Sequence, residues 1–305
     1  HFNKPESKVR TLSESIERYQ KEVLPNLKDH SNRSYHLAWW TDEIGFKVLA
    51  DIRASTISEC REKLRRTPSD SGRHKGKIRS DATINRYLAS LSALLSIAVR
   101  EWGWLEKNVC KNVRRAKESR GRVRFLSDQE LSDLRRACES SKLPELNIIV
   151  LVAMTTGARR GEIMNLRWRH MDLQSKKITL VDTKNGETRT VPLAGPALEV
   201  VQHWAKIRSI DENSYIFPGT TERTRDKPIE FDKAWRDALK LAKVTDFRFH
   251  DLRHTAASYL AMTGTGILGI GNILGHKSLD MVLRYSHLCE DHKTAAVERM
   301  VAAKF

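Results

Sequence analysis

Five short stretches in the second half of the chain carry residues that could act on a phosphodiester. Exchange at such a group needs a nucleophile, charge on the two non-bridging oxygens and an acid for the departing oxygen. Arginine suits the second task, because its planar fork meets phosphate in a bidentate way and keeps its charge. Arg159 follows a glycine within Thr156-Gly157-Ala158-Arg159-Arg160-Gly161-Glu162, at an expected helix entrance. Arg253 lies on an expected helix with His250 one turn earlier on the same face. Lys184 sits beside the tip of an expected hairpin, where it could reach a leaving 5′ oxygen. Leu274-Gly275-His276 adds an imidazole, and Arg284-Tyr285-Ser286-His287 adds a phenol among cations.

Each fragment has a plainer reading. A lone arginine is more often a surface ion pair, and a hairpin lysine is usually just solvated. An isolated tyrosine has a pKa near ~10 and attacks poorly at neutral pH. Neighbouring cations (Arg284, His276 and the two arginines) are expected to favour its phenolate. Tyr19, Tyr35, Tyr87, Tyr215 and Tyr259 read as core. A zinc site at His250 and His254, completed by His276, His287 or Cys289, is a weaker alternative. Asp251 and Leu252 follow the first histidine, so the HExxH base is missing, and two arginines would repel a dication.

The elements that must position these groups are largely helical. The chain has 305 residues, typical of two domains, with 40% hydrophobic and 30% charged residues, as in an ordinary globular protein. Lys and Arg number 54 against 38 acids, giving a formal charge of +16, the footprint of a polyanion binder. No apolar run reads as a spanning segment and no signal-peptide pattern opens the chain. Cys60, Cys110, Cys138 and Cys289 lie far apart and read as reduced, buried thiols. The first residue is His1, not Met, consistent with a fragment of a longer chain.

Helical spacing predicts helices over Thr11–Val23, Ser31–Trp40 (Tyr35, Trp39 and Trp40 as core) and Thr56–Arg66, capped by Ser55 or Thr56. The longest spans Asp81–Trp102, with an apolar stripe of Ile84, Tyr87, Leu88, Leu91, Leu94, Leu95 and Ala98. Between them, Thr67–Ser80 reads as an exposed basic loop, and Lys111–Arg124 as a basic linker marking the domain boundary. The second domain opens with a capping box at Ser127–Glu130, followed by a buried helix over Leu146–Met154. Strands are predicted at Lys177–Asp182 and Thr188–Leu193 around Asn185-Gly186, a strong hairpin signal. Further helices are expected at Pro196–Arg208, Phe231–Lys243 and Glu290–Lys304.

Taken in order, TGxRxGE at 156–162, the hairpin lysine at 184, HxxRH at 250–254, LGH at 274–276 and RYSH at 284–287 resemble the tyrosine recombinases of the phage integrase type. The resemblance is strong from Leu146 to His287 and loose in the first half. It implies a mainly α fold with a small antiparallel β-sheet, in a two-domain C-shaped clamp. The boundaries would be a tail at 1–10, a helical core-binding domain at 11–112, a basic linker at 113–124, a catalytic domain at 125–289 and a C-terminal helix at 290–305.

The resemblance also implies roles. Arg159 and Arg253 would clamp the scissile phosphate; His250 and His276 would hydrogen-bond it and assist proton transfer. Lys184 would protonate the departing 5′-hydroxyl, and Tyr285 would form a 3′-phosphotyrosyl bond. Such an ester conserves bond energy, so no ATP is needed, and with arginine as the stabilising charge neither metal nor other cofactor is implied. Glu162, His254 and His287 read as structural or supporting. Arg73, Lys75, Lys77, Arg79, Arg114, Arg115, Lys117 and Arg120 are the expected DNA contacts.

The implied partners are double-stranded DNA at specific sites, three further copies in a synaptic tetramer, and accessory bending or directionality proteins; free protein is expected to be monomeric, off the membrane, and cytoplasmic at the nucleoid of a prokaryotic or phage-bearing cell. The final helix either folds back or is exchanged between subunits, and the resemblance favours exchange. A topoisomerase-like nicking-closing enzyme and a non-cleaving DNA binder are the alternatives. Two departures from the family pattern stand out. Gly269 and Gly271 occupy helical positions where larger residues are usual, and no threonine precedes Tyr285 in Met281–Arg284.

Overall fold

The computed structural model describes residues 8–70, 75–118, 122–181, 188–207, 211–276, 278–289 and 292–305. The chain divides into two compact units, His1–Gly121 and Arg122–Phe305.

The first unit is helical: α1 (Leu12–Glu22), α2 (His30–Ile44), α3 (Ala54–Arg66) and α4 (Asp81–Arg100). Thr11 and Glu14 close a capping box on α1, and Ser80 caps α4. For α3 the cap is Arg53, not Ser55 or Thr56; Thr56 is the third helical residue and its hydroxyl reaches back to the Arg53 amide (3.5 Å). The whole expected stripe of α4 is buried, and α1, α2 and α3 pack on it. That helix is long and apolar enough by composition to cross a membrane, contrary to the sequence reading, but its apolar side chains form the core of this unit. Trp40 is buried and donates to the Tyr87 carbonyl (3.0 Å), whereas Tyr35 is exposed rather than core and donates to Asp70 (2.8 Å). Val113 is buried in this unit, and Asn85 holds both the amide (3.0 Å) and the carbonyl (2.9 Å) of Ala116.

The second unit is built around α6 (Glu145–Thr156), apolar on all sides and almost wholly buried. Helices α5 (Asp128–Glu139), α8 (Gly195–Ile207) and α10 (Asp251–Met262) pack on it, and α9 (Asp232–Leu241) packs on α5. Ser127 and Glu130 form the expected capping box of α5. A short α7 (Arg160–Met164) leads to an antiparallel sheet of β1 (Met171–Asp172), β2 (Lys177–Val181) and β3 (Thr188–Pro192), in that order. The two-residue β1 is too short to show a period in the sequence. The register pairs Ile178 with Val191 and Leu180 with Arg189, so Arg189 shares the inward face of β3 with Val191.

After α10 come α11 (Ile267–Leu274), α12 (Leu279–Leu283) and α13 (His292–Lys304). Residues Ala257, Ala261, Ile270, Leu274, Val282 and Tyr285 form a small separate core. Gly269 and Gly271 are accommodated in α11, where a Cβ at Gly271 would meet Val282 at 3.4 Å, an ordinary contact. On α13, Val297, Met300 and Val301 are exposed.

Candidate active site

Both arginines of the motif are seated on helix ends. Helix α6 terminates at Gly157 with φ +60°, a left-handed conformation that glycine adopts without strain. Its carbonyl accepts from Arg253 Nη1 on α10 (2.6 Å). Helix α11 terminates at Gly275 (φ +68°) in a Schellman turn: the Gly275 amide donates to the Asn272 carbonyl (3.3 Å) and the His276 amide to the Gly271 carbonyl (2.9 Å). That turn fixes His276 despite the two helical glycines. The Gly275 carbonyl lies 3.4 Å from Arg159 Nη2. The two turns interlock, since a Cβ on Gly157 would fall 2.0 Å from Leu274 Cδ2.

Arg159 is the N-cap of α7, and Glu162 holds it twice, through its amide (2.8 Å) and its guanidinium (2.7 Å). Glu162 is 5% exposed and also accepts two bonds from Arg189 (2.9 and 2.8 Å). Arg189 Nε donates to the Ile273 carbonyl (3.1 Å). One carboxylate thus ties α7, β3 and, through Arg189, the end of α11 together. Burial works to raise the Glu162 pKa, but the bonds from Arg189 and Arg159 outweigh it and hold it below the ordinary value. Glu162 therefore has the structural role expected of it. Arg189 was not anticipated; the signal was present, because an arginine in step with Val191 and Leu193 on a strand faces inward and needs a buried partner.

The surroundings of the arginines are strongly cationic. Arg253 is 3% exposed, and its Nη2 is buried without a hydrogen-bond partner among the described residues. Burial, then the charges of Arg159 and Arg189, lower its pKa to about 9. Burial and Arg253 push His250 down, and burial with Arg253, Arg159 and Arg284 pushes His276 down to about 3. Nδ1 of His276 is also buried with no partner among the described residues. At neutral pH these imidazoles are uncharged beside guanidiniums whose charge is only partly compensated. Such surroundings favour an anion.

Tyr285 follows α12, is 1% exposed, and its Oη lies 2.5 Å from His254 Nδ1. The expectation of a phenolate is not met: burial raises the Tyr285 pKa by more than Arg284 and Arg253 lower it. His254, a helical turn beyond His250, is pushed down to about 4 by burial and then by His250. Among the described residues no three His, Cys, Asp or Glu side chains converge as metal ligands, and His287 is exposed.

Arg159, His250, Arg253, His276 and Tyr285 are therefore gathered in one unit, whereas Lys184 lies outside the described residues. Of the expected DNA contacts, Lys75, Lys77, Arg114, Arg115 and Lys117 are exposed. Arg79 is not: it is 9% exposed, donates to the Thr67 (2.8 Å) and Pro68 (3.1 Å) carbonyls and lies over the Tyr87 ring. It anchors the ends of the basic loop. Arg73 and Arg120 lie outside the described residues.

Comparison with known proteins bears on the family and the fold. Residues 124–292, more than half of the chain, match the model of the phage integrase family. The chain is 32% identical over 294 residues to a shufflon-specific DNA recombinase of Escherichia coli, covering 93% of this chain and 71% of that protein. It is 35% identical over 228 residues to the integrase of Salmonella phage P22, covering 72% of this chain and 57% of that protein. Its fold is similar to that of the Tn1549 transposon integrase in complex with a circular intermediate DNA (TM-score 0.72, 17% identity, covering 95% and 99% of the two chains). It is also similar to a lambda integrase dimer bound to a core site (TM-score 0.67, 22% identity, 93% and 78%). With motifs, fold and sequence kinship in agreement, the chain belongs to the phage integrase family, the tyrosine recombinases.

Proposed function

We propose that this protein is a site-specific DNA recombinase that cleaves and rejoins duplex DNA through a 3′-phosphotyrosyl ester on Tyr285, integrating or excising a phage or genomic island. The observation that carries the reading is the buried Arg253 Nη2, without a hydrogen-bond partner among the described residues, near Arg159 and two uncharged imidazoles. Arg159 and Arg253 neutralise the non-bridging oxygens, and His250 and His276 hydrogen-bond them. Lys184 protonates the leaving 5′ oxygen. Because the phosphate stays esterified, the 5′-hydroxyl can attack it in the reverse direction without ATP.

The first unit and linker hold the duplex through phosphate contacts from Lys75, Lys77, Arg114, Arg115 and Lys117, with Arg73 and Arg120 in the same basic segments. Four copies carry out strand exchange. The exposed Val297, Met300 and Val301 on α13 favour packing against a neighbouring copy over a solitary nicking-closing enzyme. Accessory bending or directionality proteins fit the same scheme.

The test is covalent capture. Nicked duplexes randomised around the nick are incubated with the full chain, and trapped members are recovered after denaturation. Wild-type protein is expected to select a defined sequence, and Tyr285→Phe to bind that sequence equally well yet trap none. Binding without capture by the wild type would leave a non-cleaving DNA binder.

A further inference from the structure

The imidazole in hydrogen-bond contact with the nucleophile is not one of the two that the motif assigns to the phosphate. His254 Nδ1 lies 2.5 Å from Tyr285 Oη, with ring centroids 6.0 Å apart. The phenol ring is buried in the small core with Ala257, Ala261, Ile270, Leu274 and Val282, and that packing holds its hydroxyl at the nitrogen. We infer that His254 is the base that removes the phenolic proton of Tyr285 as its oxygen attacks phosphorus. The inference rests on the recombinase reading above and gives the proton of the nucleophile to a third imidazole, where the resemblance implied assistance from His250 and His276.

The charge state of the pair follows from the surroundings. The groups around His254 are His250 and Asp251 on its own helix, Arg253 beside it, and Arg284 and Tyr285 from the segment packed across it. Burial and the cations keep the ring neutral at pH 7, and burial keeps the proton on the phenol. The inferred base is the tautomer with its proton on Nε2, in which the phenol donates and Nδ1 accepts. Proton transfer at this stage would create a phenolate and an imidazolium beside two arginines, so without substrate the pair stays neutral. A phosphodiester anion placed against Arg159 and Arg253 cancels part of that positive field and makes the imidazolium tolerable. The base is in this way switched on by its substrate.

The step balances. The Oη–P bond forms and the P–O5′ bond breaks. The phenolic proton moves to His254 Nδ1, and the leaving 5′ oxygen takes a proton from the acid, Lys184 in our reading. On rejoining, the 5′-hydroxyl gives its proton back to that acid, now neutral, as its oxygen re-forms the P–O5′ bond; the Oη–P bond breaks, and the imidazolium returns its proton to the departing phenolate.

The decisive variant is His254→Asn, whose amide oxygen can accept the same hydrogen bond at about the position of Nδ1 but is not basic. With a duplex selected by wild-type capture, we expect unchanged DNA binding and covalent capture slowed on the order of 100-fold. His254→Ala should be slow as well and regain rate with added imidazole. A duplex carrying sulfur in place of the scissile 5′ oxygen has a leaving group that needs no proton. It should relieve Lys184→Ala but leave the defect of His254→Asn in place. Capture by His254→Asn within about threefold of wild type, or relief of its defect by the sulfur substrate, would overturn the assignment while leaving the recombinase reading intact. Failure of the wild type to capture any duplex would overturn both.

Discussion

Replacing Arg189 by methionine tests whether the buried carboxylate network holds the pocket together. The substitution keeps the aliphatic bulk and removes two charge-assisted bonds to Glu162 and one to the Ile273 carbonyl. Glu162, 5% exposed, then keeps Arg159 as its one charged partner among the described residues. Removing one member of a buried pair costs about 3–5 kcal/mol, and the retained Arg159 contacts place this case near about 3 kcal/mol. For a unit of this size each kcal/mol moves the melting temperature by roughly 2–4 °C, so a fall of about 6–12 °C is expected. Arg160→Met is the control. Its bond to Asp232 joins side chains that are 45% and 66% exposed, and its loss should cost at most about 1 kcal/mol.

The pH dependence follows from Glu162. Its pKa in the folded protein lies below the ordinary 4.5, so the network contributes fully above that value and is lost as pH falls through the folded pKa. The gap between wild type and Arg189→Met, measured by thermal unfolding followed by circular dichroism, should therefore close in acid. The double variant Glu162→Met/Arg189→Met should recover much of the loss, because no buried charge is then left stranded. A single-variant shift below about 2 °C, or a double variant no better than the single, would refute the reasoning.

Four further outcomes are expected. Arg253→Met should abolish covalent capture yet raise the melting temperature of the DNA-free protein, since it deletes a buried cation that lacks a full set of partners. Sulfate at about ten times its dissociation constant should stabilise wild type by about 1.4 kcal/mol and leave Arg253→Met unaffected, as read by thermal shift. Because the folded pKa values of His250, His254 and His276 lie below the ordinary 6.5, the unfolded chain takes up protons first, and wild type should lose stability as pH falls from about 6.5 toward 4; His276→Gln should flatten that slope in thermal melts. Gly157→Ala should destabilise by more than about 2 kcal/mol, because it adds left-handed strain to the clash with Leu274, as measured by chemical denaturation.

Much of the architecture could be read from periodicity. The stripe of α4, the capping box at Ser127 and the inward alternation of β2 and β3 are local patterns, and the sequence displays local patterns directly. Arg159, His250, Arg253, His276 and Tyr285 were legible as an ordered set of short motifs. What was hidden depends on partners distant in sequence. Tyr35 has a helical spacing that suits a core, but its hydroxyl finds Asp70 at the surface. Arg79 looks like its basic neighbours until two backbone carbonyls are seen to hold it. The state of the phenol was misjudged for a related reason, because counting nearby cations says nothing of how deeply the ring is buried.

The mutual fit of Gly157 and Leu274 bears on how such proteins exchange parts. A chimera that imports the Thr156–Glu162 segment from one parent and the Ile267–His276 segment from another combines two surfaces shaped against different counterparts. If the incoming residue at 157 carries any side chain, or that at 274 is bulkier, both arginine seats shift at once. Successful shuffling should therefore carry these two distant segments as a single inherited block, whatever happens to the chain between them.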